Sequence, residues 1–99
     1  MDREKNVIEA RDLLQAKKIE LIDVRSKEQF EKKNIEGSVN IPLSLISQKM
    51  ENLDTKTVYL LICNDGALSN QALKIFEACQ FKAYIVRGGL KDWKRVIGL

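Results

Sequence analysis

The chain has 99 residues, of which 44% are hydrophobic and 31% are charged, so it fits one folded domain over residues 1–99 rather than a disordered segment. Its formal net charge of +3 comes from 17 basic and 14 acidic residues scattered along the sequence. Because the basic residues form no stripe interleaved with aromatics, nucleic-acid binding is not expected.

Histidine is absent, and cysteine occurs at two positions only, Cys63 and Cys79. The chain therefore lacks the histidine base of a Ser-His-Asp or Cys-His catalytic unit. Two cysteines without CxxC spacing do not predict a metal site, and no glycine motif for nucleotide phosphates is present. We therefore expect neither a metal nor another cofactor.

No segment has the features of a membrane span or of a signal peptide. The longest apolar run, Val58–Cys63, has the length of a strand. The charged N-terminus, Met1–Lys5, is not followed by the apolar stretch of a signal peptide. We therefore expect a cytoplasmic protein without a membrane partner.

The spacing of apolar residues in the first half of the chain predicts helices alternating with strands. Ile19–Val24 is rich in β-branched residues and is expected to form a strand, and the apolar spacing before it predicts a helix over Val7–Lys18. The other elements expected here are a helix over Lys27–Lys33, with Ser26 and Gln29 as its cap and Phe30 directed inward, a turn over Asn34–Ser38, a strand within Val39–Pro42 and a helix over Leu43–Met50.

The second half of the chain continues this alternation. Val58–Ile62 is the most apolar predicted strand and is expected at the centre of the sheet, buried on both faces. An amphipathic helix over Ser69–Gln80, a strand over Ala83–Val86 and a helix over Leu90–Ile97 with Trp93 in the core follow. Strands that alternate with helices predict an α/β domain with a mainly parallel sheet.

Cys63 stands where the predicted central strand gives way to the next helix. Ligands bind beyond the carboxyl ends of the strands in open parallel sheets, and the free N–H groups of a helix start favour a negative charge. We therefore expect Cys63 to be a reactive thiolate, the alternative being a buried structural cysteine. Cys79 shares the apolar face of its helix and is expected to pack in the core.

Four segments match the motifs of a known family in the same order and spacing. Leu21–Arg25 reads Leu-Ile-Asp-Val-Arg, and Glu28–Pro42 follows the course E-x-F-x-x-x-H-I-x-G-A-x-N-I-P, with Asn34 in place of the common His and Ser38 in place of Ala. Cys63–Ser69 falls on a loop that is commonly C-R-x-G-x-R-S, and Gly88–Trp93 on a closing G-G-x-x-x-W. In these segments, which span nearly the whole chain, the sequence resembles the single-domain rhodaneses, a family of sulfurtransferases.

The resemblance implies a five-stranded, mainly parallel sheet flanked by helices on both faces, with a six-residue loop from Cys63 to Leu68. It also implies that Cys63 takes a sulfane sulfur from a donor such as thiosulfate and passes it, from a persulfide, to a thiol or cyanide. The expected partners are such small molecules or a sulfur-relay protein, and the chain is expected to be a monomer or weak homodimer. The anion-binding loop residues would be Asn64, Asp65, Gly66, Ala67, Leu68 and Ser69.

Local chemistry suggests a role for several loop residues. Gly66 is expected to adopt a positive φ, and Asp65 to accept a hydrogen bond from a following amide in an Asx turn. Ser69 is expected to cap the next helix, and its hydroxyl could also bond the sulfur. A tyrosine phosphatase would need an arginine where this chain has Ser69, which disfavours phosphate-ester hydrolysis.

The loop departs from the family pattern at the two positions that often carry arginine, which are Asn64 and Leu68 here. Asp65 adds a negative charge, which disfavours a thiolate and repels an anionic donor. These departures favour an alternative function, a catalytically weak or inactive rhodanese-like module that binds a partner or relays sulfur. If the missing charge limits turnover, Leu68→Arg is expected to raise turnover of thiosulfate.

Charged residues near other strand ends are candidate supports for the site. Asp23 and Arg25 lie two apart on a strand and point to the same side, which favours a structural ion pair over a catalytic role. Arg87 is expected to be solvated. As an alternative, Arg25 and Arg87 could reach an anion at the loop.

Overall fold

The strands of the structure all belong to one parallel sheet within residues 3–16 and 18–99, the residues that the computed structural model describes. They are β1 (Glu4–Lys5), β2 (Ile19–Asp23), β3 (Val39–Asn40), β4 (Val58–Ile62) and β5 (Ala83–Val86). Their order across the sheet is β1-β5-β4-β2-β3, so β4 is the central strand, as predicted. Every pairing between neighbours is parallel.

Helices follow or precede each of these strands. They are α1 (Val7–Leu13), α2 (Lys27–Lys32), α3 (Ile46–Lys49), α4 (Ala67–Ala78) and α5 (Gly89–Val96). Short 3-10 turns over Leu43–Leu45 and Met50–Asn52 flank α3 where one continuous helix is predicted. The predicted inward side of this segment is confirmed, since Ile46 and Met50 are buried and Leu43 packs against the core.

Alternation of side chains along the central strands divides the core into two clusters, one on each face of the sheet. Leu21 and Leu60 join the cluster that includes side chains of α1 and α5. Ile22 and Leu61 join the cluster that includes side chains of α3 and α4. The predicted α/β fold with both sheet faces covered is confirmed, because successive strand residues bury their side chains on opposite sides.

The first helix is shorter than its apolar spacing indicates. A helix is predicted over Val7–Lys18, but α1 ends at Leu13. Lys17, inside the predicted range, lies outside the described residues. Lys18 has a φ of 68°, in the left-handed region, which a right-handed helix cannot contain.

The edge strand β1 was not predicted. Its two residues pair with Ile85 and Val86 of β5, a run too short to show the alternation by which strands are recognised. Met1 and Asp2, which belong to the charged N-terminus considered above, lie outside the described residues.

The start of α2 agrees with the prediction for Ser26, although only the Ser26 half of a capping box with Gln29 is formed. Ser26 is its N-cap, and the hydroxyl accepts a hydrogen bond from the amide of Gln29 at 3.3 Å. Phe30, predicted to point inward, is half-buried. The helix therefore buries none of its residues fully.

Two predictions about α4 are wrong. The helix begins at Ala67, so its N-cap is Gly66, and Ser69 lies inside the first turn. Cys79 was expected in the core but is exposed. The helix ends at Ala78, which leaves Cys79 as its C-cap, beyond the last turn that packs on the sheet.

Candidate active site

Cys63 lies directly after β4 at the carboxyl edge of the sheet, and it is only 1% exposed. Its Sγ accepts a hydrogen bond from the amide of Gly66 at 3.0 Å and another from the amide of Ser69 at 3.4 Å. Both donors belong to the start of α4, whose N-terminal dipole has its positive end here. The sulfur is therefore held where negative charge on it is stabilised.

The tight turn between Cys63 and α4 depends on Gly66 and Asp65. Gly66 has a φ of 112°, as predicted for a glycine at this point. The Asp65 carboxylate accepts a hydrogen bond from the amide of Ala67 at 3.1 Å, which confirms the predicted Asx turn. This bond keeps an exposed negative charge on the loop itself.

Several polar groups of the loop have no protein partner. The Ser69 hydroxyl is fully buried, yet it makes no hydrogen bond to residues 3–16 or 18–99, so the bond to sulfur considered above is not formed. Within those same residues, the amides of Asn64, Asp65 and Leu68 donate to no backbone or side-chain acceptor. The buried Ser69 hydroxyl, a kind of group that is ordinarily paired, and these three amides are therefore available to a bound group.

Asp23 and Arg25 form the predicted structural ion pair, with Arg25 Nη2 and Asp23 Oδ2 2.7 Å apart. The Arg25 amide also donates to Asp23 Oδ1 at 3.0 Å, and Nη2 donates to the carbonyl of Lys33 at 2.6 Å. Both side chains are almost fully buried. Arg25 lines a cleft of about 370 Å³ together with Asn64 and Asp65, which brings it beside the loop.

Arg87 lies apart from this cleft. Its side chain is 58% exposed and pairs with Glu4 at 3.1 Å, so the prediction of a solvated arginine is confirmed. The structure therefore brings Arg25, but not Arg87, to the loop.

The two loop positions without arginine differ in their surroundings. Asn64 is exposed and lines the cleft. Leu68 is half-buried and packs against the hydrophobic cluster beneath α4. An arginine at position 68 would therefore have to leave an apolar contact to reach an anion.

The start of α5 holds the loop, a contact that the sequence analysis does not predict. The amide of Leu90 donates to the carbonyl of Cys63 at 2.8 Å, and the amide of Lys91 donates to the carbonyl of Asn64 at 3.1 Å. Gly89, at φ 61°, permits this approach, because a Cβ there would clash with both carbonyls. The signal in the sequence is the pair Gly88-Gly89, which stands where α5 begins.

Neither a metal site nor a membrane span is found in the part of the chain that the structure describes. No group of three or more His, Cys, Asp or Glu side chains there could hold a metal ion. No helix among those residues has the length and apolar character needed to cross a bilayer.

Comparison with known proteins agrees with this architecture. A sequence model of the rhodanese-like domain matches residues 6–96. The chain is 36% identical over 74 residues to the putative sulfurtransferase YtwF of Bacillus subtilis, a match that covers 75% of this chain and 72% of that protein. It is 36% identical over 76 residues to the thiosulfate sulfurtransferase PspE of Escherichia coli, covering 72% of this chain and 70% of the other.

A longer relative and a solved structure extend the comparison. The putative sulfur carrier protein YrkF of Bacillus subtilis is 33% identical over 76 residues, which are 76% of this chain but only 41% of that protein. The crystal structure of a rhodanese-related protein from Thermoplasma volcanium has a TM-score of 0.87 at 26% identity, over 94% of this chain and 91% of the other.

Proposed function

Since the chain belongs to the rhodanese-like domain family, we propose that it is a sulfurtransferase in which Cys63 carries the transferred sulfur as a persulfide. The observation that carries this proposal is the position of Sγ. The sulfur accepts hydrogen bonds from two backbone N–H groups, while the Ser69 hydroxyl has no partner among the described residues. The names of the relatives YtwF and PspE support sulfur transfer as the general reaction.

In the first step, the Cys63 thiolate attacks the sulfane sulfur of the donor. With thiosulfate, the bond between the two sulfur atoms breaks, sulfite leaves with the electron pair, and Cys63 becomes a persulfide anion. The group beside the loop amides carries negative charge before, during and after this step, as thiolate, transition state and persulfide in turn. Preorganised donors of this kind stabilise the developing charge without having to reorient.

The terminal sulfur of the persulfide needs donors of its own. The amides of Asn64, Asp65 and Leu68 and the hydroxyl of Ser69 are free to supply them within the described part of the chain. We infer that the added sulfur lies among these groups. The Ser69 hydroxyl, left unpaired in the reduced protein, then gains the acceptor it lacks.

In the second step, an acceptor thiolate attacks the terminal sulfur, and Cys63 leaves as a thiolate. Sulfur transfer to a small thiol, to cyanide or to a relay protein follows this same course. The name of the relative YrkF, a putative sulfur carrier, is consistent with a place in a relay between proteins.

A second candidate function is a relay module that does not accept sulfur from thiosulfate. It is favoured by Asn64 and Leu68 at the positions that carry arginine in many relatives, and by the exposed carboxylate of Asp65. An anionic donor would meet a negative charge at the loop, whereas a persulfide delivered by a protein would be positioned by that protein.

Intact-mass measurement on the reduced protein tests both functions. The protein is incubated with thiosulfate or with a persulfidated cysteine-desulfurase donor. We expect the mass of one sulfur atom to be gained by the wild type and by Cys79→Ser, the control for the exposed cysteine, and not by Cys63→Ser. Gain from the protein donor alone would favour the relay module. Absence of gain from every donor would refute sulfur transfer through Cys63.

A further inference from the structure

The cleft beside the Cys63 loop is positively charged. Its volume is about 370 Å³, and its walls include Lys33, Lys91 and Lys94. Asp65 is the one carboxylate side chain among the described residues that line it, and the charge of Arg25 is balanced by its ion pair. The three lysines therefore outnumber the carboxylate side chains of the cleft, which leaves its lining positively charged.

These lysines are available to a ligand. All three are exposed, and none forms an ion pair with a residue in the ranges 3–16 and 18–99. Lys91 and Lys94 are three residues apart on α5, so they share one face of the helix. The amide of Lys91 bonds the carbonyl of Asn64, which fixes this face of α5 relative to the Cys63 loop.

The size and lining of the cleft favour a small charged molecule over a protein surface. Volumes of roughly 300–1,000 Å³ hold organic ligands, so a cleft of about 370 Å³ is far larger than an ion such as thiosulfate requires. None of the described residues that line it is aromatic, whereas the centres of protein interfaces are rich in aromatic residues and poor in lysine.

We propose that this cleft binds the sulfur acceptor as a low-molecular-weight thiol bearing two or more carboxylates. The carboxylates pair with Lys33, Lys91 and Lys94, and the thiol is directed past Asn64 toward the Cys63 persulfide. This inference rests on the proposed function and names the acceptor class. The positive charge that the loop itself lacks at Asn64 and Leu68 is supplied, for the acceptor, by α5 and the segment after α2.

The transfer step balances without a further reactant other than a proton from water. The Cys63 persulfide anion first takes up a proton from water, and the acceptor thiolate then attacks its terminal sulfur. The bond between the two sulfur atoms breaks, and its electron pair returns to Cys63, which becomes a thiolate. The acceptor leaves as a persulfide that keeps the proton, so its sulfur is oxidised as that of Cys63 is reduced.

A matched pair of acceptors tests the role of the carboxylates. The persulfidated protein is freed of donor and mixed with glutathione or with glutathione diethyl ester, which has the same thiol without free carboxylates. Loss of the transferred sulfur is followed by mass. In a Lys91→Gln, Lys94→Gln double variant, we expect the rate constant for glutathione to fall roughly tenfold and the rate constant for the ester, whose only charged group is its ammonium, not to fall.

Lys82→Gln is the control variant. Lys82 is exposed and precedes β5, at the opposite edge of the sheet from Cys63, so it changes the net charge without touching the cleft. Its rates should equal those of the wild type. An equal loss of rate for both acceptors in the double variant, or no loss for glutathione, would overturn the inference.

Binding without chemistry separates this inference from the proposed function. S-methylglutathione, which cannot accept sulfur, is titrated into the reduced protein while backbone amide resonances are followed. Shifts at Asn64 and Lys91 that disappear in the double variant would support the cleft even if Cys63 never acquires sulfur. Absence of any shift would overturn the inference while leaving the persulfide measurement as the test of sulfur transfer.

Discussion

The neighbouring strands β2 and β4 both lead into helices at the same edge of the sheet. The polar groups between strand and helix find their hydrogen-bond partners differently at these two junctions. After β2, the Asp23 carboxylate accepts the backbone and guanidinium N–H groups of Arg25. Arg25 also bonds the Lys33 carbonyl, and the Ser26 hydroxyl caps α2. This junction supplies its own partners from side chains that lie within a few residues.

After β4, the chain supplies fewer partners. Gly66 caps α4 without a side-chain hydrogen bond, and the Sγ of Cys63 takes two of the helix-start amides. The Ser69 hydroxyl is unpaired within the described residues. With glycine at the N-cap, the missing cap bond costs only a few tenths of a kcal/mol, whereas an unpaired buried polar group costs about 1–3 kcal/mol. The junction after β2, whose side chains are paired (the saturated junction), stabilises the fold, while the junction after β4 (the unsaturated junction) retains donors for a ligand.

The largest effect on stability is expected at the saturated junction. Asp23→Ala removes one partner of a buried ion pair and leaves Arg25 without its counter-charge, so we expect the free energy of unfolding to fall by about 3–5 kcal/mol. Urea unfolding measures this change. The control is Arg95→Ala, which breaks an exposed pair with Asp92 and should cost less than about 1 kcal/mol. Equal losses in the two variants would contradict the structural role of the Asp23 pair.

At the unsaturated junction, stability and activity are expected to change in opposite directions. Ser69→Ala removes a buried hydroxyl that has no partner in the described residues, so the free energy of unfolding should stay equal or rise by about 1 kcal/mol. Persulfide formation on Cys63 should slow roughly fivefold if the hydroxyl bonds the added sulfur. Unfolding and sulfur loading are measured on the same preparation.

A second serine supplies the control for this prediction. The Ser38 hydroxyl donates to the carbonyl of Ile35 at 2.6 Å, away from Cys63. Ser38→Ala should therefore lower the free energy of unfolding by about 1 kcal/mol and leave the loading rate unchanged. Loss of stability in Ser69→Ala, with loading intact, would mean that its hydroxyl serves only the fold.

The smallest expected effect concerns the charge of the loop. Asp65→Asn keeps an oxygen that can accept the amide of Ala67 but removes the negative charge, so loading from thiosulfate should rise roughly threefold. Asp54→Asn is the matched control, because Asp54 accepts the amide of Lys56 in the same way at the opposite end of β4. The Asp65→Asn substitution tests the effect of loop charge more cleanly than Leu68→Arg does, because Leu68→Arg would also remove packing beneath α4. Equal loading rates in the wild type and Asp65→Asn would show that the charge of the loop does not limit sulfur loading from thiosulfate.

The sequence alone predicted much of the fold, because local patterns report which side of an element is buried. The apolar run of β4 indicated a central strand, and Ser26 indicated the start of α2. Patterns failed where elements are short or where they end. The two residues of β1 are too few to alternate, and the early start of α4 moved Ser69 from a cap to an interior position.

What the sequence determined about the candidate site is the position of Cys63 between a buried strand and a helix, because strand, loop and helix are consecutive there. The tertiary structure alone decided what surrounds that loop. Leu90 and Lys91 hold its carbonyls from 27 positions further along the chain, and Lys33 lines the cleft from the segment after α2. Surface charges have no periodicity that reports their neighbours, so their convergence depends on how the sheet and helices stack.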